Sequence, residues 1–184
     1  MSLVLETERL IMRAFQDKDI LDFAWYRSDP YVAQYQGWDA PYSVEKAAEF
    51  VAENKVICPG TPGEWHQIAL ELKDGSQLIG DCVFHILKED AQQAEIGFTL
   101  SRQYQGLGYA TEAVTRLVDY LFGELQLHRI CAICDVENQT SSKLLERIGM
   151  RREAHFVENI WFKGKWGSEY LYGLLQHEWA KSTS

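Results

Sequence analysis

Over residues 94–121 the apolar pattern of this chain changes from a strand-like run to a helical repeat, and two glycines stand at the change. Residues 94–100, Ala-Glu-Ile-Gly-Phe-Thr-Leu, have the length and composition of a strand. Leu107, Ala110, Val114, Leu117, Val118 and Leu121 then recur at helical spacing. Such a passage from strand through loop to helix presents unpaired backbone N–H groups and the positive end of a helix dipole, a combination that binds phosphate. Gly106 and Gly108 let the backbone approach the anion where a Cβ would intrude.

The remaining pattern places that unit in a mixed sheet. Leu5, Leu10, Ile11 and Met12 predict a first strand up to about Phe15. Asp17 is a candidate N-cap for a helix carrying Ile20, Leu21, Phe23 and Ala24, which Pro30 would stop. Ser43 caps a second helix, with Glu45 in its first turn and Val44, Ala47, Ala48 and Val51 at helical spacing. Residues 65–72, 77–87 and 94–100 read as strands, the first two joined by a hairpin at Asp74-Gly75. After the long helix come a strand over 128–136, a helix capped by Asn138 that buries Leu144, Leu145 and Ile148 and ends at Gly149, and strands over 152–162 and 169–175. The order is that of an α/β (mixed α+β) chain with about seven strands and four helices, not a doubly wound sheet.

At 184 residues the chain fits one domain, 1–184, able to bury a core without metal or disulfide staples. Eighteen basic against 27 acidic residues give a net charge of −9, which disfavours nucleic acid as a partner and mildly favours a cationic substrate. No apolar run nears the roughly 18 residues of a membrane span, and the acidic start Leu-Glu-Thr-Glu is unlike an export signal, so the expected address is the cytoplasm. Cys58-Pro-Gly-Thr-Pro-Gly63 reads as a surface loop. Cys131 and Cys134 have zinc-knuckle spacing but fall in a buried-strand pattern, where residues three apart point to opposite faces about 10 Å apart. Neither they nor Cys58, Cys82 or the five histidines suggest a metal site, and no Gly-x-Ser-x-Gly supports a hydrolase triad.

Gly-Lys-Ser/Thr is missing, so the glycine loop is not a Walker loop, and Thr111 stands where a dinucleotide fingerprint needs its third glycine. Gln103-x-x-Gly106-x-Gly108 instead resembles the acetyl-coenzyme A signature of the GNAT superfamily of N-acetyltransferases. Glu95-Ile-Gly-Phe, Ala110-Thr-Glu-Ala113, Asn138-x-x-Ser141 and Leu144-Leu-Glu-Arg-Ile-Gly149 resemble, with it, the branch that acetylates ribosomal-protein N-termini. The resemblance implies a sheet splayed between its fourth and fifth strands and acetyl-CoA as cosubstrate. It implies that the backbone of Gln103, Tyr104, Gln105, Gly106, Leu107, Gly108 and Tyr109, leading into Ala110, grips the pyrophosphate. Phe98, Thr99 and Leu100 would bond the pantetheine arm, with Asn138 near it, and the N–H near Phe98 would serve the oxyanion. Relatives keep a general base where Glu95 stands; a carboxylate merely pairing with a neighbour is the alternative. Many place an acidic tyrosine where Leu145 stands, which cannot donate, so Ser141 becomes the candidate acid, unless it only satisfies helix N–H groups.

Trp25, Tyr26, Tyr31, Tyr35 and Trp38, near Asp29 and Asp39, are candidates for an acceptor wall or for ordinary core, and exposed aromatics permit a homodimer. An α-amine titrates about 2.5 units below lysine, so a site with one carboxylate suits a protein N-terminus or a small-molecule amine. The alternative to an enzyme is a catalytically idle acyl-CoA-binding module.

Overall fold

A computed structural model describes residues 3–56, 58 and 61–182. Eight strands form one sheet in the order β1-β2-β3-β4-β5-β6-β8-β7. They are β1 (Val4–Glu6), β2 (Leu10–Arg13), β3 (Trp65–Leu72), β4 (Leu78–Ile86), β5 (Gln93–Leu100), β6 (Arg129–Asp135), β7 (Arg151–Phe162) and β8 (Lys165–Leu175). Six α-helices accompany them: α1 (Ile20–Arg27), α2 (Pro30–Ala33), α3 (Val44–Glu53), α4 (Tyr109–Asp119), α5 (Gln139–Arg147) and α6 (Gln176–Ser182). All neighbours pair antiparallel except β5 and β6, which α4 joins by a crossover.

The β5–β6 pairing positions the site. It holds for only three pairs, Gln93↔Arg129, Ala94↔Ile130 and Glu95↔Cys131, and the strands then diverge. The expected splay is therefore present, at the boundary between the fourth and fifth of the strands read from the sequence. Helices cover both faces of the sheet. Ala113, Val114, Leu117, Val118 and Leu121 seal one face, each fully buried Val or Leu side chain contributing about 1.5–3 kcal/mol. On the other, Phe23, Tyr26, Ala47 and Val51 pack on Phe15, Ala69 and Leu78. Both faces of β3 and β4 are thus buried along most of their length.

Several local expectations are corrected. The first strand breaks at Thr7–Arg9 into the hairpin β1–β2, because Glu112 accepts hydrogen bonds there from Thr7 Oγ1 (2.5 Å) and Arg9 N (2.8 Å). Asp17 is not the cap: a 3₁₀ turn over Asp17–Asp19 precedes α1, and Asp19 accepts from Gln16 N (2.7 Å) and pairs with Arg13 (2.7 Å). Pro30 starts a helix rather than ending one, since α1 stops at Arg27 and Asp29 caps the new N-terminus through Tyr31 N (2.9 Å). Leu107 precedes α4 and is 56% exposed, so it is no part of the apolar stripe. A π-helical turn, Tyr120–Glu124, extends α4, and α6 carries no apolar repeat long enough to be read. β6 is not buried on both faces: Ile133 is 42% exposed, while Ile130 and Ala132 face the core. Ser43 does cap α3, through Lys46 N (3.2 Å), and Gly149 ends α5 at φ +91°. Of the punctuated loop, Pro59 and Gly60 lie outside the described residues. Among the described residues no helix is long and apolar enough to cross a membrane.

Candidate functional site

The open end of the splay leaves backbone groups of β5 facing a gap. Gln93 C=O accepts from Leu87 N (2.9 Å) and Ser101 N donates to Ile79 C=O (2.8 Å), so the odd residues of β5 bond to β4. By the two-residue period, the N–H and C=O of Phe98 and Leu100 point into the gap. Leu100 C=O takes up Gln105 Nε2 (2.9 Å), while Phe98 N–H faces the opening.

The glycine loop closes one end. Gly106 and Gly108 have φ of +77° and +87°, a left-handed backbone that costs an L side chain about 1–2 kcal/mol. The first helical bond of α4 is Glu112 N–H to Gly108 C=O (3.0 Å), so the N–H groups of Tyr109, Ala110 and Thr111 project from the helix start. Arg9 braces the loop from behind. Its Nη1 donates to Leu107 C=O (3.0 Å), its guanidinium lies 4.1 Å from the Tyr109 ring centroid, and Nη2 pairs with Glu112 (2.6 Å). Burial raises the Glu112 carboxyl, but bonds from Thr7 and Arg9 outweigh it and hold it below its ordinary value.

Between the β5 backbone, the loop and α5 lies a cavity of about 390 Å³. Phe98, Thr99, Leu100, Tyr104, Gln105, Gly106, Gly108, Tyr109 and Ala110 line it, with Asn138 and Ser141 from the start of α5. The sequence-predicted residues are thus brought together with three exceptions. Gln103 and Leu107 turn outward, and Glu95 stands outside the cavity wall. Asn138 Oδ1 accepts from Ser141 N (3.2 Å), so its carbonyl caps α5 while the residue still borders the cavity. Leu145, where relatives place a tyrosine, is 1% exposed and packed in the core.

Glu95 sits at the closed end of the splay, across from His85 on β4 and Cys131 on β6. Burial pushes its carboxyl above the ordinary value against the pull of His85, and Glu169 adds to the rise.

The aromatic group divides. Tyr31 and Tyr35 stand in the cavity wall, joined by Val32 and Gln36. Trp25 is on the surface, and Tyr26 is core, with its hydroxyl 3.2 Å from Asp81. Trp38 lies over the Arg27 guanidinium (3.8 Å), which also contacts the rings of Phe23 (4.1 Å) and Phe50 (4.7 Å) and bonds to buried Asp81 (3.2 Å). Trp38 Nε1 in turn donates to Arg27 C=O (3.1 Å). Lys163, at the β7–β8 turn, donates to Ala33 C=O (2.7 Å) and Trp38 C=O (2.6 Å), tying the same segment to the far half of the sheet. Behind Tyr31 and Tyr35 opens a second cavity of about 680 Å³, bordered by Asp39, Asp135, Glu137, Lys163 and Lys165.

Sequence reading missed the far side of the first cavity: Thr111 from α4, and Thr140, Lys143 and Arg147 from α5. The available signal was spacing, since 140, 143, 144 and 147 share one helix face.

Residues 9–151 match the family model for an acetyltransferase (GNAT) domain. An uncharacterized N-acetyltransferase, YnaD, of Bacillus subtilis (strain 168) is 37% identical over 175 residues, covering 95% of this chain and 98% of that protein. The crystal structure of a GNAT-family acetyltransferase from Bacillus anthracis superposes with a TM-score of 0.83 at 34% identity, over 95% of this chain and 99% of the other. The ribosomal protein uS5-alanine N-acetyltransferase of Escherichia coli (strain K12) is 25% identical, over 95% of this chain and 92% of that enzyme.

Proposed function

This chain belongs to the GNAT family of acetyltransferases, and we propose that it transfers the acetyl group of acetyl-CoA to a primary amine, a protein N-terminal α-amine or a small-molecule amine. The observation that carries this reading is the first cavity. Its free strand N–H, its helix-start N–H groups and its lack of any lining carboxylate fit a long anionic thioester. When bound, acetyl-CoA supplies an acyl carbon that gains a C–N bond as its C–S bond breaks; the amine gives up one proton and the thiolate takes one.

The chain's own groups have three tasks. Phe98 N–H donates to the carbonyl oxygen as negative charge develops on it. Glu95, held above its ordinary value yet outside the wall, accepts the amine proton through solvent. Ser141, in the wall, passes a proton to the leaving thiolate and takes one back from solvent, so that the hydroxyl is restored and the proton comes from water. Deprotonating a lysine at neutral pH costs about 3.4 kcal/mol more than deprotonating an α-amine, so one indirect base suits the less basic acceptor. Similarity to an enzyme named as a ribosomal protein uS5-alanine N-acetyltransferase supports a protein acceptor. The second cavity, with its carboxylates behind the shared tyrosine wall, is the acceptor side. The cytoplasm is the compartment that goes with this reading.

Thiol release from acetyl-CoA, measured across peptides with free N-termini, amino acids and polyamines, tests it. Release with a peptide or small amine is expected. CoA binding without turnover on any acceptor would overturn it in favour of an idle acyl-CoA-binding module.

A further inference from the structure

Among the described residues, the lining of the cavity assigned to acetyl-CoA has two charged side chains, Lys143 and Arg147, and both are cations in a chain of net charge −9. They lie four residues apart on the face of α5 that turns toward α4, and both are exposed. Arg147 Nη1 donates to Thr111 Oγ1 (3.2 Å), which holds the guanidinium beside the helix start whose N–H groups are free, with its other nitrogens available. Neither residue has a carboxylate partner among the described residues, whereas Arg9, Arg13, Arg27, Arg116, Arg129, Arg151 and Arg152 each have one. Their charge is therefore unneutralised and faces the cavity. Arg147 is also about 9 Å farther along α5 than Ser141, away from the splay where the thioester belongs.

Coenzyme A carries two kinds of phosphate. The glycine loop offers partial charges from backbone N–H groups, which suit the bridging pyrophosphate. The ribose 3′-phosphate is a monoester of nearly two negative charges at neutral pH, and it calls for full cations. We propose that Lys143 and Arg147 bind that 3′-phosphate and make the cavity selective for CoA over 3′-dephospho-CoA. The proposal rests on the acetyl-CoA reading above.

Calorimetric titration of wild-type protein and of K143A, R147A and the double variant, with CoA and with 3′-dephospho-CoA, tests it without an acceptor. Wild type is expected to prefer CoA by tens of fold. Each single substitution is expected to weaken CoA about tenfold while leaving 3′-dephospho-CoA unchanged, and the double variant to bind both alike. R147K, which keeps the charge, should recover part of the preference. Equal wild-type affinities would overturn the proposal. So would substitutions that weaken both ligands by the same factor, because the cations would then serve the pyrophosphate. Binding of neither ligand would overturn the acetyl-CoA reading itself and this proposal with it.

Discussion

The two cavities that meet at Tyr31 and Tyr35 have opposite linings. The first has, among the described residues, no carboxylate, two cations and the outward N–H groups of a strand and a helix start. The second has Asp39, Asp135 and Glu137 against Lys163 and Lys165. There Glu137 pairs with Lys165 (3.1 Å) and Asp39 approaches Lys163 (3.6 Å), so among the described residues Asp135 is the lining carboxylate with no lysine at ion-pair distance, although its charge still acts on Lys165. The net charge of −9 is thus unevenly distributed between the two cavities. On the proposed reading, carboxylates are kept out of the side assigned to the anion and gathered on the side assigned to the amine. Backbone N–H groups alone do not make up the anion side, since Lys143 and Arg147 add full charge to it.

The comparison depends on the wall between the cavities, and the largest expected effect comes from breaking it. The wall segment is flanked by Arg27 before it and by Trp38 after it, and the two pack on each other, with Arg27 caged among rings and bonded to Asp81 deep in the fold. Arg27→Ala leaves Asp81 buried without its counter-ion, at a cost of about 3–5 kcal/mol. Thermal unfolding should show a drop of several degrees or more, with CoA binding weakened as the wall loosens. An unchanged Tm with unchanged CoA affinity would detach the wall from this cage.

Gly106→Glu comes next and acts on one cavity only. No atom lies within 4 Å of where its Cβ would stand, so the folded protein bears only the strain of φ +77°, about 1–2 kcal/mol. The added bulk and charge should lower CoA affinity at least about 100-fold, since like charges within 4 Å repel strongly in a partly desolvated site. Calorimetry that found wild-type affinity would remove the loop from the phosphate site.

How much of this contrast was legible follows from how local each part is. The strand–glycine–helix unit is written in consecutive residues, and Gly106, Gly108, Asn138 and Gly149 were all read from their neighbours. The second cavity is not local: Asp39, Asp135 and Lys163 come together only because β6, β8 and α2 meet in space. Nothing in the residues around Arg27 announces the Asp81 that binds it 54 residues later. Pro30 was read as a stop because proline does end helices, but the same fixed φ suits a first turn, and Asp29 decided the matter. Position in the fold, not residue type, separated Tyr31 and Tyr35 from Tyr26.

Glu95→Gln probes the closed end of the splay, outside the wall of either cavity. A raised carboxyl must lose its proton to act as base, so the acidic limb of kcat/KM for the wild type should lie above the ordinary carboxylate range. Below that limb Glu95 is protonated and the rate falls; above it the base is present and the rate levels. The Gln variant should lose roughly 10–100-fold at neutral pH, lack that limb, and recover as the amine itself deprotonates at higher pH. Wild-type rates with an unchanged profile would leave Glu95 as a strand carboxylate.

Asp135→Asn carries the smallest effect and the finest test of the contrast. The carboxylate accepts Glu137 N–H (2.7 Å), a bond that the asparagine carbonyl can keep, so folding should change by less than about 0.5 kcal/mol. What changes is one charge in a cavity open to solvent, where attraction for a cation at about 4 Å is near 1 kcal/mol. The KM for the amine should therefore rise about fivefold with kcat nearly constant, because the charge acts on the bound amine and on the transition state alike. Salt should shrink the difference between variant and wild type, as screening removes an exposed attraction. CoA affinity should not weaken, and a slight gain would fit the loss of a neighbouring negative charge. If KM for the amine stayed constant while CoA affinity fell, the two cavities would have to exchange roles.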